Sequence, residues 1–285
     1  MKILTAYYDL AVGPVSFDFV VFLVKAEMER ARKGADRLHV VIVPDSEGVD
    51  GMFRDKTHLY DKHEMRWRLW NICIPACSLL NAGVTLAGNW DHARRMKTDL
   101  VWPHDWDSQS LKDRRHLIGD VIKDFLAGEK VPALSASPHA RFMVKKFYGA
   151  QRDPVVTMTL RGTYMSERNV NRSEWYKARD YIFSKGFVPL FLEDVEVALS
   201  RGHGYGELNL DLRMAMYQEA ALNIQANNGT ASLCWFGEAP YLMFDAGVGK
   251  SAEEWQGLFV DQGLPLGETW PWAARGNQKI VYAAS

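Results

Sequence analysis

Apolar runs of five or six residues recur along this chain, separated by longer stretches of helical period. Ile3 to Tyr8 reads as a strand, and after a loop at Gly13-Pro14 the period predicts a helix from about Phe17 to Arg32. Leu38 to Val43 is an apolar run of the kind a parallel strand shows when both its faces are buried. Asp45 to Asp61 is polar, carries Gly48 and Gly51, and reads as a long loop of the sort that often serves function. A helix from about His63 to Leu80 and a short strand at Gly83 to Leu86 follow. Trp90 to Asp107 is aromatic and irregular, and the helical period returns from about Leu111 to Ala127.

Pro132, Ser135, Ser137 and Pro138 mark a Pro/Ser-rich stretch ahead of a helix at His139 to Phe147. Gly149 to Pro154 reads as a linker, and strand–helix alternation then restarts. Val155 to Leu160 is a strand, and Asn171 with Glu174 forms a capping-box pattern opening a helix to about Lys185. Phe187 to Leu192 is a strand whose Pro189 places it at a start or a sheet edge. A helical pattern from about Leu212 to Gln225 and a strand at Tyr241 to Phe244 complete this half. The expected fold class is α/β, with two Rossmann-like domains facing a cleft. They are an N-terminal domain of residues 1–150 and a C-terminal domain of 151–285, with the break near 148–154. One sheet threaded by both halves is the alternative.

Between the last helix and strand lies Asn227-Asn228-Gly229-Thr230-Ala231-Ser232. Asn and Gly tolerate the left-handed backbone at a helix C-terminus, and Thr230 and Ser232 suit the N-cap of a second helix. Such a turn can hold a phosphate through backbone N–H groups, or it can be an ordinary helix–helix turn.

Composition narrows the classes. The 285 residues carry a net charge of −1, which gives no general pull toward nucleic acid or a membrane surface. Cys73, Cys77 and Cys234 form no disulfide framework, and an odd count points to a reducing compartment, so a cytoplasmic location is expected. Phe19 to Val24 is too short to cross a bilayer, so no transmembrane segment is expected. Walker, Gly-x-Ser-x-Gly and Gly-x-Gly-x-x-Gly motifs are absent, which lowers the case for an ATPase, a hydrolase or an NAD enzyme.

The segment Val155-Val156-Thr157-Met158-Thr159-Leu160-Arg161-Gly162-Thr163-Tyr164-x-x-Glu167-Arg168-Asn169-x-Asn171 resembles the strand and loop opening the C-terminal domain of bacterial glycosyltransferases of the GT-B fold. Asn227 to Thr230 with Pro240-Tyr241-Leu242 resembles the segment in which heptosyltransferase-like and fucosyltransferase-like enzymes contact the donor diphosphate. The likeness covers roughly residues 155 to 245. It implies transfer of a sugar from a nucleotide-activated donor to an acceptor hydroxyl, with the nucleotide-sugar as substrate and neither cofactor nor metal. The partners it implies are that donor and a glycan or small-molecule acceptor. A non-catalytic carbohydrate- or nucleotide-binding protein of the same fold, or a nucleotide-sugar epimerase, are the other readings.

Under this resemblance, Arg161 at a strand's C-terminal end suits a bidentate phosphate contact, with Arg168 on the same loop. Glu193 and Asp194, ending the next strand, suit ribose hydroxyls. Asn227, Asn228, Gly229 and Thr230 would surround the diphosphate, and His203-Gly204-Tyr205-Gly206 would form a lid. Asp9 at the end of the first strand is the candidate base, with Asp18 second. His58 and His63 lack a third ligand nearby in sequence. Trp67, Trp70, Trp90, Trp102 and Trp106 offer sugar-stacking faces or plain packing.

Overall fold

The computed structural model describes residues 1–10, 13–44, 62–107, 118–162, 169–194, 209–244, 269–273 and 277–281. They form two compact units, Met1–Pro132 and Ala133–Ser285.

The first unit is a parallel sheet of β1 (Ile3–Asp9), β2 (Arg37–Val43), β3 (Gly83–Leu86) and β4 (Leu100–Trp102), in the order β3-β2-β1-β4. Parallel strands need crossover helices on the sheet faces, so both faces of β1 and β2 are hidden and their runs are apolar. Helix α1 (Asp18–Arg32) makes the first crossover. Its Phe19 to Val24 turns are wholly buried, and Gly34, at a φ of 61°, ends it in the left-handed conformation that glycine adopts without strain.

The helix expected at His63–Leu80 is present in three joined parts. They are α2 (Lys62–Arg68), a π-helical turn (Leu69–Cys73) and α3 (Ile74–Ser78). Pro75 gives the physical reason. Its ring lacks an N–H and crowds the carbonyl four residues back, and the wider turn, in which Ile74 N–H donates to Leu69 O, accommodates it.

The stretch from Trp90 to Asp107 is more regular than its composition implies. Asn89 Oδ1 accepts from His92 N–H at 2.8 Å and caps α4 (Trp90–Arg95), and β4 pairs with β1. A three-residue strand is too short to show alternation. Trp106 is buried and stacks on Tyr7 at 3.6 Å, and Trp90 lies parallel to it at 5.8 Å. These two indoles are core packing. Helix α5 (Ile118–Leu126) falls inside the expected Leu111–Ala127 span, and residues 108–117 lie outside the described residues, as does the polar loop of 45–61.

The second unit begins before the expected linker. Helix α6 (Pro138–Gly149) belongs to it, because it is bound to α8 (Leu210–Glu219). Asp211 accepts from the Ser137 N–H at 2.7 Å and from its hydroxyl at 2.6 Å. Arg141 pairs with Glu219 at 2.6 Å, and Tyr148 Oη donates to Met216 O at 3.2 Å.

The second sheet, also parallel, holds β5 (Val155–Thr159), β6 (Val188–Leu192), β7 (Leu222–Ala226), β8 (Tyr241–Phe244) and β9 (Gln278–Val281), in the order β6-β5-β7-β8-β9. Between β5 and β6 runs α7 (Arg172–Ser184), and a short α9 (Ala231–Trp235) follows β7. Asn171 caps α7 by accepting from Ser173 N–H at 3.1 Å, while Glu174 pairs with Lys177 at 2.8 Å, so the cap is made but not the reciprocal bond of a capping box. Pro189 sits in an edge strand, where a missing N–H costs least.

The main departure from the sequence expectation is the Leu212–Gln225 helix. It stops at Glu219, and Leu222–Ala226 is strand β7 in the middle of the sheet. Its alternation is inverted. Asn223 and Gln225 are fully buried, as is Ala226 at its end, while Leu222 and Ile224 are half-buried against Val156, Met158 and Ile182. Hidden amides at every second position read, without coordinates, as the polar face of a helix.

Candidate functional site at a strand-order reversal

In an open parallel sheet, ligands collect at the carboxyl ends of the strands, where the strand order reverses. In the second unit that point lies between β5 and β7, from which the chain departs to opposite sides. Leu160, Arg161 and Gly162 leave β5 there, and Asn227 to Thr230 leave β7. The Asn-Asn-Gly-Thr segment is therefore a strand-to-helix turn, not the end of a helix.

Arg161 spans this point. Its side chain is 8% exposed, and its Nη1 donates to the Asn227 carbonyl, which joins the two loops. Its own carbonyl accepts from Val170 N–H at 3.3 Å and anchors the chain on the way to α7.

Asn228 organises the turn. Its Oδ1 accepts from the Thr230 hydroxyl at 3.0 Å and from Ala231 N–H at 3.1 Å. The N–H groups of Ser232 and Leu233 bond to Gly229 O and Thr230 O, so these donors close the turn. Thr230 is fully buried, and Thr159 Oγ1 lies 2.9 Å from Tyr217 Oη beside it. Burial raises the Tyr217 phenol above its ordinary range, so this cluster is neutral and structural.

At the end of β6, Glu193 is buried and its carboxylate takes both Nη atoms of Arg172, at 2.9 and 2.8 Å. Its carbonyl accepts from Arg213 Nη2. Asp194 next to it is half-buried. Arg168 and the expected lid at His203 to Gly206 lie outside the described residues.

Arg213 is the residue that pattern reading misses. It sits on α8, 1% exposed, one turn before Tyr217. Its Nε and Nη1 have no hydrogen-bond partner among the described residues. A buried guanidinium with open donors is costly to hold and adds positive potential beneath the β6 end of the site. On a helix of mixed residues its letter reads as solvent face, so no sequence signal marks it.

In the first unit the equivalent reversal lies between β1 and β4, and Asp9 ends β1 there. The Asp9 carbonyl accepts from Gly13 N–H at 2.8 Å, which turns the chain away from the strand end. Asp18, at the start of α1, is exposed and accepts from the Ser16 hydroxyl at 2.9 Å. His63 is exposed, and His58 lies outside the described residues. Among the described residues no group of three or more His, Cys, Asp or Glu is placed to hold a metal ion. The three cysteines are free and buried. No described helix is long and apolar enough to cross a membrane.

Similarity to solved structures bears on this arrangement. The chain superposes on E. coli ADP-heptose lps heptosyltransferase II with a TM-score of 0.55 at 9% identity, over 99% of this chain and 90% of that one. The fold is GT-B glycosyltransferase-like. The glycosyl transferase family 9 structure from Veillonella parvula DSM 2008 is similar over 93% of this chain and 90% of that one, with a TM-score of 0.46 and 12% identity. No protein-family model matches the chain, and no curated protein matches its sequence. At such identities the likeness is one of fold, and function has to be argued from the site.

Proposed function

We propose that the protein transfers a sugar from a nucleotide-activated donor to an acceptor hydroxyl, without a metal ion. The observation that carries the reading is Arg161, held across the strand-order reversal of the second unit by its bond to the Asn227 carbonyl. Besides that bond, its guanidinium brings a positive charge to the place proposed for the diphosphate that leaves with the nucleotide. Arg168 is the second cation of the proposal. Asn227, Asn228 and Gly229 shape the wall facing the diphosphate, with Thr230 beneath them. Glu193, which pairs with Arg172, and Asp194 end β6 on the side proposed for the ribose hydroxyls.

The acceptor belongs to the first unit, where Asp9 acts as base. The acceptor oxygen attacks the anomeric carbon, the bond from that carbon to the diphosphate oxygen breaks, and the hydroxyl proton passes to Asp9. The electron pair of the broken bond leaves on the nucleoside diphosphate. We place the protein in the cytoplasm, in keeping with its three free thiols.

The test is release of nucleoside diphosphate from a panel of UDP-, GDP- and ADP-sugars offered with glycan acceptors. Release is expected with one donor class, and Asp9→Asn is expected to slow it by about 100-fold or more while donor binding persists. Donor binding with no release from any donor and acceptor pair would instead assign a non-catalytic carbohydrate- or nucleotide-binding role.

A further inference from the structure

Helix α6 turns one face to α8 and a second apolar face to solvent. Ala140 and Val144 are buried on the inner side. On the outer side Phe142 is 57% exposed, Met143 48% and Phe147 49%. These three, with Lys146, fall at the one- and four-residue spacings of a single helical stripe. The Lys146 ammonium lies 5.7 Å from the Phe142 ring centroid, and Phe147 tilts against Tyr148 at 5.7 Å.

The charged side chains of the helix itself have one sign. Pro138–Gly149 contains Arg141, Lys145 and Lys146 and no acidic residue. The carboxylate that reaches these cations is Glu219 of α8, at 2.6 Å from Arg141 and 3.7 Å from Lys145. One carboxylate shared by two cations leaves the outer face positive, although the whole chain carries a net charge of −1. Helix α7 makes the contrast. Its Tyr181 and Phe183 are also exposed, but Lys177 pairs with Glu174 and Arg179 with Asp180 on the helix itself.

We propose that the outer face of α6 docks on an anionic lipid surface. Exposed Phe and Met flanked by lysines are what a helix lying in a bilayer interface presents: rings enter the headgroup boundary and ammonium groups meet lipid phosphates. Twelve residues give a rod of about 18 Å, long enough to lie flat and too short to span. A second copy of the chain is the poorer occupant, since a two-fold contact would set this positive face against itself. The inference rests on surface residues of the second unit and does not depend on the transfer reaction.

The experiment is flotation of the full chain with vesicles of phosphatidylglycerol and phosphatidylcholine in equal parts, and with phosphatidylcholine alone. Binding is expected to the anionic vesicles only and to weaken as salt is raised. Neutralising Lys145 and Lys146 together (K145Q, K146Q) is expected to lower the partition about tenfold or more. Phe142→Ser with Phe147→Ser is expected to do the same, with an unchanged melting temperature because both rings are already exposed. Tyr181→Ser with Phe183→Ser on α7 should leave the partition unchanged. No partition onto anionic vesicles, or partition indifferent to both α6 double variants, overturns the proposal. A dimer lost in Phe142→Ser/Phe147→Ser, without vesicle binding, overturns it in favour of self-association.

Discussion

Asn223→Leu is expected to destabilise the protein by about 3–5 kcal/mol, the largest effect of any single change discussed for this chain. Asn223 is fully buried in the middle of β7 and is the knot of the second unit. Its Oδ1 accepts from the Thr157 hydroxyl of β5 at 2.5 Å. Its Nδ2 donates to the Tyr217 carbonyl at the end of α8, at 2.9 Å, and to the Pro240 carbonyl before β8, at 2.8 Å. Leucine keeps the volume and removes every side-chain bond. The Thr157 hydroxyl and the Tyr217 carbonyl are then left buried with a bond unmade, at about 1–3 kcal/mol for each group, while the Pro240 carbonyl keeps the backbone N–H of residue 223 at 3.0 Å. Thermal unfolding should report a melting temperature lower by on the order of 10 °C. Pairing the change with Thr157→Val removes one of the stranded groups, so the double variant should recover part of the loss. An Asn223→Leu protein as stable as wild type would mean that this buried network contributes little to holding β5, α8 and β8 around β7.

Arg161→Ala is expected to weaken nucleoside diphosphate binding by about 1.5–3 kcal/mol, a loss of roughly 10- to 150-fold. The change removes a charge-assisted contact to the diphosphate. It also removes the bond that joins the β5 loop to the Asn227 carbonyl, so some loosening of the turn is part of the expected result. Arg161→Lys separates the two contributions. An ammonium restores the charge without the bidentate fork, and rescue is expected to be partial. Calorimetric titration of both variants beside wild type, with melting curves in parallel, gives the reading. Unchanged affinity in Arg161→Ala would take this residue out of the site. A large fall in melting temperature with affinity retained would make it a structural tie between the two loops.

Most strands were legible in the sequence because parallel strands hidden on both faces leave unbroken apolar runs, as in Ile3–Asp9, Arg37–Val43 and Val155–Thr159. The elements that were not legible share a cause: their signal lies in contacts rather than in period. Strand β7 buries Asn223, whose amide meets Thr157 and two carbonyls, and Gln225, whose Nε2 donates to the Cys234 sulfur, and nothing local announces that. Strand β9 has four residues, and its Gln278 is buried by donating to Gly237 O and Ala239 O. Helix α6 was read correctly as a helix, but its place in the second unit follows from Asp211 and Glu219, far along the chain.

The candidate site was legible at its loops and not beneath them. Arg161 and Asn227 stand out because loops after strands carry function in this architecture. Reading β7 as the end of a helix hid the reason these two segments meet, which is that β5 and β7 are neighbours with Thr159 opposite Gln225. The engagement of Glu193 by Arg172 and the burial of Arg213 are tertiary facts that no spacing encodes.

A nucleoside diphosphate is expected to bind where the β5 and β7 loops meet. Hydrogen exchange of the backbone amides, with and without saturating UDP, GDP or ADP, tests it most directly. The nucleotide that binds is expected to slow exchange in 160–162 and 227–233 and to leave the strand ends of the first unit unchanged. Binding that protects other segments, with these two loops exchanging as in the free protein, would contradict it.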